Sequence, residues 1–489
     1  MNPLPKAANK IISLFQLFIS LVKSLLILIT QKPDIAIGFG GYPTVAPMLA
    51  AKIFSTPLII HEQNAIIGRG NKLLSKISNK LALSFENTKK IEKPTLSIEV
   101  ADKILDKISI SKNPIAYVGG GILLADADKE LEEFINFMQI PVAHSLMGKG
   151  ALRDDHPLLM GMTGFWGTKL VNQNCLKADY ILALGTRFKE ADCSSWYNGY
   201  TFNVPPSKII HIDIDPSEIG RNYPTEIGAV ADLKNALKIL LERAKIKFPK
   251  IKDNSKKIKE IKSFKANFIK KNKKMAESKK FPMMPERILS DLRKAIPNDA
   301  IITTDVGWNK NGVGQQFDIL TPGSILTPGG FATMGFGPSA AIGAQLAEPK
   351  KVVISLVGDG GFGQNPSVLA TAAEIKLPII WIIMNNNAFG TIAGLQKAHY
   401  GLTYGTTFPG SANSPKYGPE YSKIAQAYGI SGVKIKKADE FLKVLIKAIK
   451  SKKPTLIDVP MINNPTPTTG HWNILDIYSP NKKISHVST

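Results

Sequence analysis

The stretch Val352-Val-Ile-Ser-Leu-Val-Gly-Asp-Gly-Gly361 decides the fold. Its first six residues are almost wholly aliphatic, which marks a strand buried on both faces, the habit of a parallel sheet covered by helices. The strand runs straight into Gly358-Asp359-Gly360-Gly361, where glycine lets main-chain N–H groups approach an anion. A helix follows from Ser367 to Ile375, and a second apolar strand, Ile379 to Met384, ends in Asn385-Asn386-Asn387. In such sheets ligands gather at the carboxyl ends of strands, and the pattern puts Asp359 and Asn386 at the ends of neighbouring ones. A carboxylate and an amide oxygen there suit a hard, octahedral Mg2+, with a main-chain carbonyl (that of Ala388), water and phosphate oxygens completing its shell.

Working outward, strands alternate with helices over most of the chain, which implies doubly wound parallel sheets. Residues 282–475 form one α/β region around the two strands above. Residues 96–243 form a second, with strands at Ile115–Val118, Tyr180–Leu184 and Ile209–Ile214, and a glycine run at Gly119-Gly120-Gly121. Between them, 244–281 is rich in Lys and is expected to be an exposed helix bridging two compact units. Residues 1–93 carry an apolar helix and a partial βαβ pattern, and 476–489 form a tail. The expected fold class is therefore α/β, with two doubly wound domains and a partial α/β amino-terminal segment.

At 489 residues the chain is long enough for several domains, and 44% hydrophobic against 21% charged residues is an ordinary globular balance. Two cysteines, Cys175 and Cys193, exclude a disulfide framework and a Cys-rich zinc site. The net charge of +23 invites a nucleic-acid partner, but the excess is Lys spread along the whole chain, so a solvated surface is the better reading. Ile11 to Thr30 is apolar over about the ~20 residues a spanning helix needs. Lys23 near its middle favours a buried or membrane-surface helix, and no small-residue cleavage site follows it. The chain is expected in the cytoplasm, with peripheral contact at the inner membrane face through 11–30.

Asp359, Asn386 and the twenty-four residues between Gly360 and Asn385 resemble the thiamine diphosphate motif. The resemblance extends over about 96–459 and is closest to the acetolactate synthase large-subunit family. It implies that Asp359, Asn386 and the carbonyl of Ala388 hold Mg2+, and that Asn309, Gly358, Gly360, Gly361 and Asn386 hold the cofactor. Thr327-Pro-Gly-Gly-Phe-Ala-Thr-Met-Gly-Phe-Gly337 is similar to the family segment that keeps the cofactor bent. There Met334 is implied to wedge between the two rings and the Ala332 carbonyl to accept from the aminopyrimidine. Asp305-Val-Gly-Trp-Asn309 resembles the loop at the diphosphate, with Trp308-Asn309 where acetolactate synthases carry Gln-His.

The central region matches the same family through Leu146-Met-Gly-Lys-Gly150, Gly185-Thr-Arg-Phe188 and His211-Ile-Asp-Ile-Asp-Pro216. That domain holds FAD in acetolactate synthases and is empty or holds another nucleotide in relatives. Gly119 to Gly121 do not form G-x-G-x-x-G, and Lys189-Glu190-Ala191 replaces Asp-Asp-Arg, so the chain is expected colourless or only partly loaded with flavin.

The first ninety residues depart from that pattern. Ile37-Gly-Phe-Gly-Gly-Tyr-Pro-Thr44 and Ile60-His-Glu-Gln-Asn-Ala65 resemble the amino-terminal domain of the bacterial undecaprenyl-muramyl-peptide N-acetylglucosaminyltransferase. A thiamine enzyme instead begins with a pyrimidine domain whose glutamate activates the cofactor. Glu62 is the one candidate for that catalytic role, although its neighbours match the transferase. The chain therefore reads as a join of two partial genes near Glu92 to Leu96. The resemblance implies a thiamine diphosphate- and Mg2+-dependent decarboxylase or carboligase acting on a small 2-oxo acid. Its expected partners are further copies of the chain, as a dimer or tetramer, or a separate pyrimidine-domain chain. The alternatives are an N-acetylglucosaminyltransferase fragment and a non-catalytic cofactor-binding relic.

Overall fold

The computed structural model describes residues 8–62, 67–84, 93–248, 253–408 and 418–463. The join near Glu92, Gln63 to Ala65 of the transferase-like motif and the tail 476–489 lie outside the described residues. The chain divides into two compact units, Met1–Pro94 and Thr95–Thr489.

In the first unit, β1 (Ala36–Gly38), β2 (Leu58–Glu62) and β3 (Lys80–Leu83) pair in parallel in that order. Its core is small: Val45, Met48 and Leu74 from helices pack on Leu58 and Ile60 of β2. The apolar run is expected to be a buried or a membrane-surface helix. The helix Ala8–Gln31 forms, but Phe18, Leu26, Ile27 and Ile29 on it are more than half exposed. Among the described residues, no helix is long and apolar enough to cross a membrane.

The second unit holds two six-stranded, all-parallel sheets. The central sheet runs β6 (Leu159–Met162), β5 (Val142–His144), β4 (Pro114–Val118), β7 (Tyr180–Leu184), β8 (Lys208–Asp213), β9 (Ile227–Val230). The carboxyl-terminal sheet runs β11 (Ile325–Leu326), β10 (Ile301–Thr304), β12 (Val353–Gly358), β13 (Ile380–Asn385), β15 (Thr455–Pro460), β14 (Ser431–Lys434). Strand alternation sends side chains to opposite faces, so each sheet separates two cores. Ile354 and Leu356 join one hydrophobic cluster while Val353 and Val357 join the other. In the central sheet Ala116 and Val118 split from Ile115 and Tyr117 in the same way. This is the doubly wound α/β class that the sequence pattern implies.

The segment 244–281 is not one helix. The helix Leu233–Lys247 belongs to the central domain, capped by the Asp232 carboxylate, which accepts from the Asn235 N–H at 3.2 Å. Its buried stripe, Leu233, Leu237, Leu240 and Ala244, holds it to the sheet. It stops at Phe248 because the residue before Pro249 is driven out of helical geometry, and Phe248 is extended at φ −121°, ψ 97°. A separate linker helix, Ser255–Ala276, begins beyond. It is not wholly solvated either, since Ile261 is 4% exposed and enters the core of the central domain.

Candidate active site

The switch point of the carboxyl-terminal sheet lies where β10 and β12 pair, because the chain leaves β10 for one edge and returns through β12 toward the other. The loops after β10, β12 and β13 meet there around a cleft of about 530 Å3. Eight of the residues singled out from sequence line it: Asn309, Met334, Gly358, Asp359, Gly360, Gly361, Asn386 and Ala388. Ala332 is absent from the lining; it sits at φ 47° in the neighbouring loop, its N–H donating to the Gly329 carbonyl at 3.0 Å.

Close approach explains the glycines. A Cβ on Gly361 would lie 2.6 Å from Asp305 Oδ1, and one on Gly360 would lie 2.6 Å from the Phe389 ring and 3.3 Å from Met334 Cε. At Gly361, against the fixed Asp305 carboxylate, bare backbone lets the turn after β12 fit the loop after β10.

Asp359 is 2% exposed, and its Oδ2 is buried without a hydrogen-bond partner. Burial pushes its carboxyl up to about 6, against the opposing pull of N–H groups of Gly360, Ala388 and Asn387. One terminal atom of the Asn386 carboxamide stands 2.9 Å from the Ala388 carbonyl oxygen and 3.2 Å from Asp359 Oδ1. As nitrogen, that atom donates to both. As oxygen, it makes a third oxygen in one place, and the amide nitrogen then donates to Asn463 Oδ1 at 3.3 Å. The first orientation suits the protein alone; the second suits a hard cation bound by three oxygens. Asp359 Oδ1, the Asn386 oxygen and the Ala388 carbonyl, with Asp359 Oδ2 left unpartnered, fit part of the oxygen shell that such an ion takes.

Asn385, in contrast, turns into the sheet, where its amide donates to Asp458 Oδ1 at 2.9 Å. The side chain of Asn309 is engaged with its own loop: Oδ1 accepts from the Asp305 N–H at 2.8 Å and Nδ2 donates to the Val306 carbonyl at 3.2 Å. Trp308 lines the cleft and covers Gly312, where a Cβ would lie 2.5 Å from the indole.

Sequence reasoning missed Asp305. It is fully buried; Oδ1 accepts from the N–H groups of Val306 at 2.8 Å and Gly335 at 3.2 Å, and Oδ2 from Gly337 at 2.8 Å. Burial pushes its carboxyl up while those N–H groups oppose the rise. Two of its three partners, Gly335 and Gly337, lie 30 and 32 residues away, so no local pattern announced the role.

Glu62 belongs to the other compact unit. It is 1% exposed, and its Oε2 accepts from the Gly68 N–H at 2.9 Å and from Asn71 Nδ2 at 3.0 Å. The carboxylate thereby fastens the loop after β2 to the next helix.

Comparison with known families agrees with this geometry. Residues 101–240 match the model of the thiamine pyrophosphate enzyme central domain, and residues 305–459 that of the C-terminal TPP binding domain. These regions are thiamine pyrophosphate enzyme domains. Residues 5–83 match the glycosyltransferase family 28 N-terminal domain. The probable acetolactate synthase large subunit of Methanocaldococcus jannaschii is 36% identical over 370 residues, covering 74% of this chain and 59% of that protein. That of Methanococcus aeolicus is 34% identical, covering 78% and 65%. The acetolactate synthase large subunit of Corynebacterium glutamicum is 32% identical, covering 74% and 56%. The chain thus spans less than two thirds of the length of these thiamine pyrophosphate enzyme relatives.

In the central domain the glycines likewise serve close packing. A Cβ on Gly119 would lie 2.1 Å from the Gly185 carbonyl oxygen, and one on Gly121 would lie 2.6 Å from Gly185 Cα. Beyond them Tyr117, Phe188, Phe202 and Tyr223 pack with ring centroids 5.0 to 6.1 Å apart, edge to face except for the tilted Tyr117–Phe188 pair. Cys175 and Cys193 are both free and buried.

Proposed function

We propose that the cleft binds thiamine diphosphate through Mg2+, and that the protein acts on 2-oxo acids as a decarboxylase or carboligase of the acetolactate synthase type. The observation that carries this reading is the approach of Asp359 Oδ1, the Asn386 carboxamide and the Ala388 carbonyl, with the other oxygen of the same carboxylate, Oδ2, buried and unpartnered. Asp359 would supply the charge that neutralises the metal, with Asn386 and Ala388 as neutral ligands. Gly358, Gly360 and Gly361 would offer bare backbone to the diphosphate. Met334, whose Cε lies against Gly360, would support the cofactor's bent shape, and Asn309 would hold the neighbouring loop in form. When bound, the cofactor supplies a carbon nucleophile for the 2-oxo carbonyl.

The segment before the central domain matches a glycosyltransferase domain, and Glu62 is occupied in its own loop. We therefore read the pyrimidine-binding half of the site as the contribution of another polypeptide, within a dimer or tetramer or from a separate chain. Negligible conversion of pyruvate by this chain alone follows. We take flavin as absent or partial, since Gly119 and Gly121 are accounted for by packing on Gly185 and Gly120 by packing on Met147. We place the protein in the cytoplasm, with the exposed apolar residues of Ala8–Gln31 as the surface for contact with the membrane's inner face.

Calorimetric titration separates this reading from the transferase suggested by the first unit. Saturable binding of thiamine diphosphate is expected, with none of UDP-N-acetylglucosamine. The reverse pattern overturns it.

A further inference from the structure

Among the described residues of the Thr95–Thr489 unit, a second cavity is larger than the cofactor cleft. It spans about 1290 Å3, open to solvent on one side, between the central domain, the linker helix and the carboxyl-terminal domain. One wall is a single face of the linker helix, where Phe264, Phe268, Asn272 and Ala276 follow one another at four-residue steps. The opposite wall is the helix Pro285–Ala295, through Glu286, Leu289 and Arg293. The two helices approach each other along part of their length, and beside that approach a space remains at a junction of domains with mostly apolar walls, the position that small-molecule sites favour.

Two polar atoms on the lining are buried without a partner in the protein: Glu286 Oε2 and Gln315 Nε2. An unmet buried polar atom is costly, and rotation of either side chain toward the cavity would let a ligand meet it. The Asp154 carboxylate is already satisfied, by Lys149 Nζ at 2.8 Å and the Ile319 N–H at 2.7 Å. Burial pushes the Glu286 carboxyl up, toward its neutral form. On the cationic side, Arg293 lies over the Phe317 ring at 5.5 Å. Lys265 Nζ donates only to a carbonyl, that of Asp154, at 2.8 Å. Lys294 is 57% exposed and reaches Asp291 only at 3.9 Å. The lining thus combines aromatic faces, unmet polar atoms and two lysines that make no hydrogen bond to a carboxylate, beside Asp318, whose carboxyl burial pushes up.

We infer that this interdomain cavity binds a small aromatic anion, its ring against Phe264, Phe268 and Phe317 and its charge toward Lys265 and Lys294. The anionic group can be a phosphate, as in a nucleoside monophosphate, or a carboxylate. The inference is independent of the cofactor assignment, because the cavity shares no lining residue with the cleft.

The test is calorimetric titration of the full chain with AMP and with 1-naphthoate, beside the uncharged adenosine and 1-naphthalenemethanol. At least one anion is expected to bind with a stoichiometry of one, about tenfold tighter than its uncharged counterpart. Binding by AMP or by 1-naphthoate alone identifies the phosphate or the carboxylate as the anion recognised. Ala276→Trp, which fills the cavity from the linker helix, should abolish binding; surface Lys294→Met should weaken it about tenfold without affecting the fold. Binding should persist with thiamine diphosphate and Mg2+ at saturation. The inference is overturned if neither anion binds, if the uncharged compounds bind equally, if Lys294→Met binds like the parent, or if thiamine diphosphate displaces the anion.

Discussion

Asp305 Oδ2 accepts the main-chain N–H of Gly337 at 2.8 Å, which ties the loop after β10 to the start of the helix Phe336–Ala347. The same carboxylate also holds the N–H groups of Val306 and Gly335. Two glycine-rich loops on either side of the cleft are therefore fixed by one buried side chain.

Asp305→Ala should loosen both loops. Unmet N–H groups of this kind cost ~1–3 kcal/mol each, so a fall of several degrees in melting temperature is expected. Thiamine diphosphate binding should weaken with it. Differential scanning calorimetry and titration check the two effects; parent-like values in both would remove Asp305 from the account.

Gly360→Ala separates geometry from stability. Its Cβ would meet the Phe389 ring at 2.6 Å, and that ring can move toward the cleft. The variant is expected to keep most of its stability, losing ~1–3 kcal/mol at most for local overpacking, while thiamine diphosphate affinity falls at least about tenfold. Titration beside a urea unfolding curve measures both.

His144, at the end of β5, links stability to pH. It is fully buried, and burial first, with Lys149 second, lowers its pKa from 6.5 to about 4. The folded state thus keeps it neutral while the unfolded chain protonates it. Its contribution is present above about pH 6.5 and is lost as pH falls toward about 4, amounting to ~3 kcal/mol over that window. Urea unfolding of the parent and of His144→Leu at pH 7 and pH 4.5 should show a smaller pH-dependent loss in the variant. Equal losses would assign the acid sensitivity elsewhere.

The pure protein should be colourless or carry flavin well below one equivalent. An absorbance spectrum showing a full equivalent of flavin contradicts the reading of Gly119 to Gly121 as packing residues.

The sequence made the carboxyl-terminal domain legible because its signals are local. β12 and β13 are each a run of aliphatic residues ending in its own polar signature, so Asp359 and Asn386 could be placed together before any coordinates. Short strands such as β5 and β11, with three and two residues, carry too little periodicity to be read. The break at Phe248 was present in the sequence as Pro249 but was hidden by continuous Lys-rich composition on both sides. Long-range relations were invisible: the Asp305 clasp, the engagement of Asn309 with its own loop, and the Glu62 to Asn71 contact all depend on how loops meet. The exposed face of Ala8–Gln31 was equally hidden, because an apolar run alone does not say what covers it.

The central claim is that Asp359, Asn386 and Ala388 hold a Mg2+ that grips a diphosphate. Titration of thiamine diphosphate into parent, Asp359→Ala and Asn386→Ala protein, with Mg2+ and with chelator, tests it most directly. The account predicts saturable binding by the parent only with Mg2+, none by Asp359→Ala, and a smaller loss in Asn386→Ala, since water can replace a neutral ligand but not a charge. Binding by the parent that is indifferent to chelator, or parent-like binding by both variants, would contradict it.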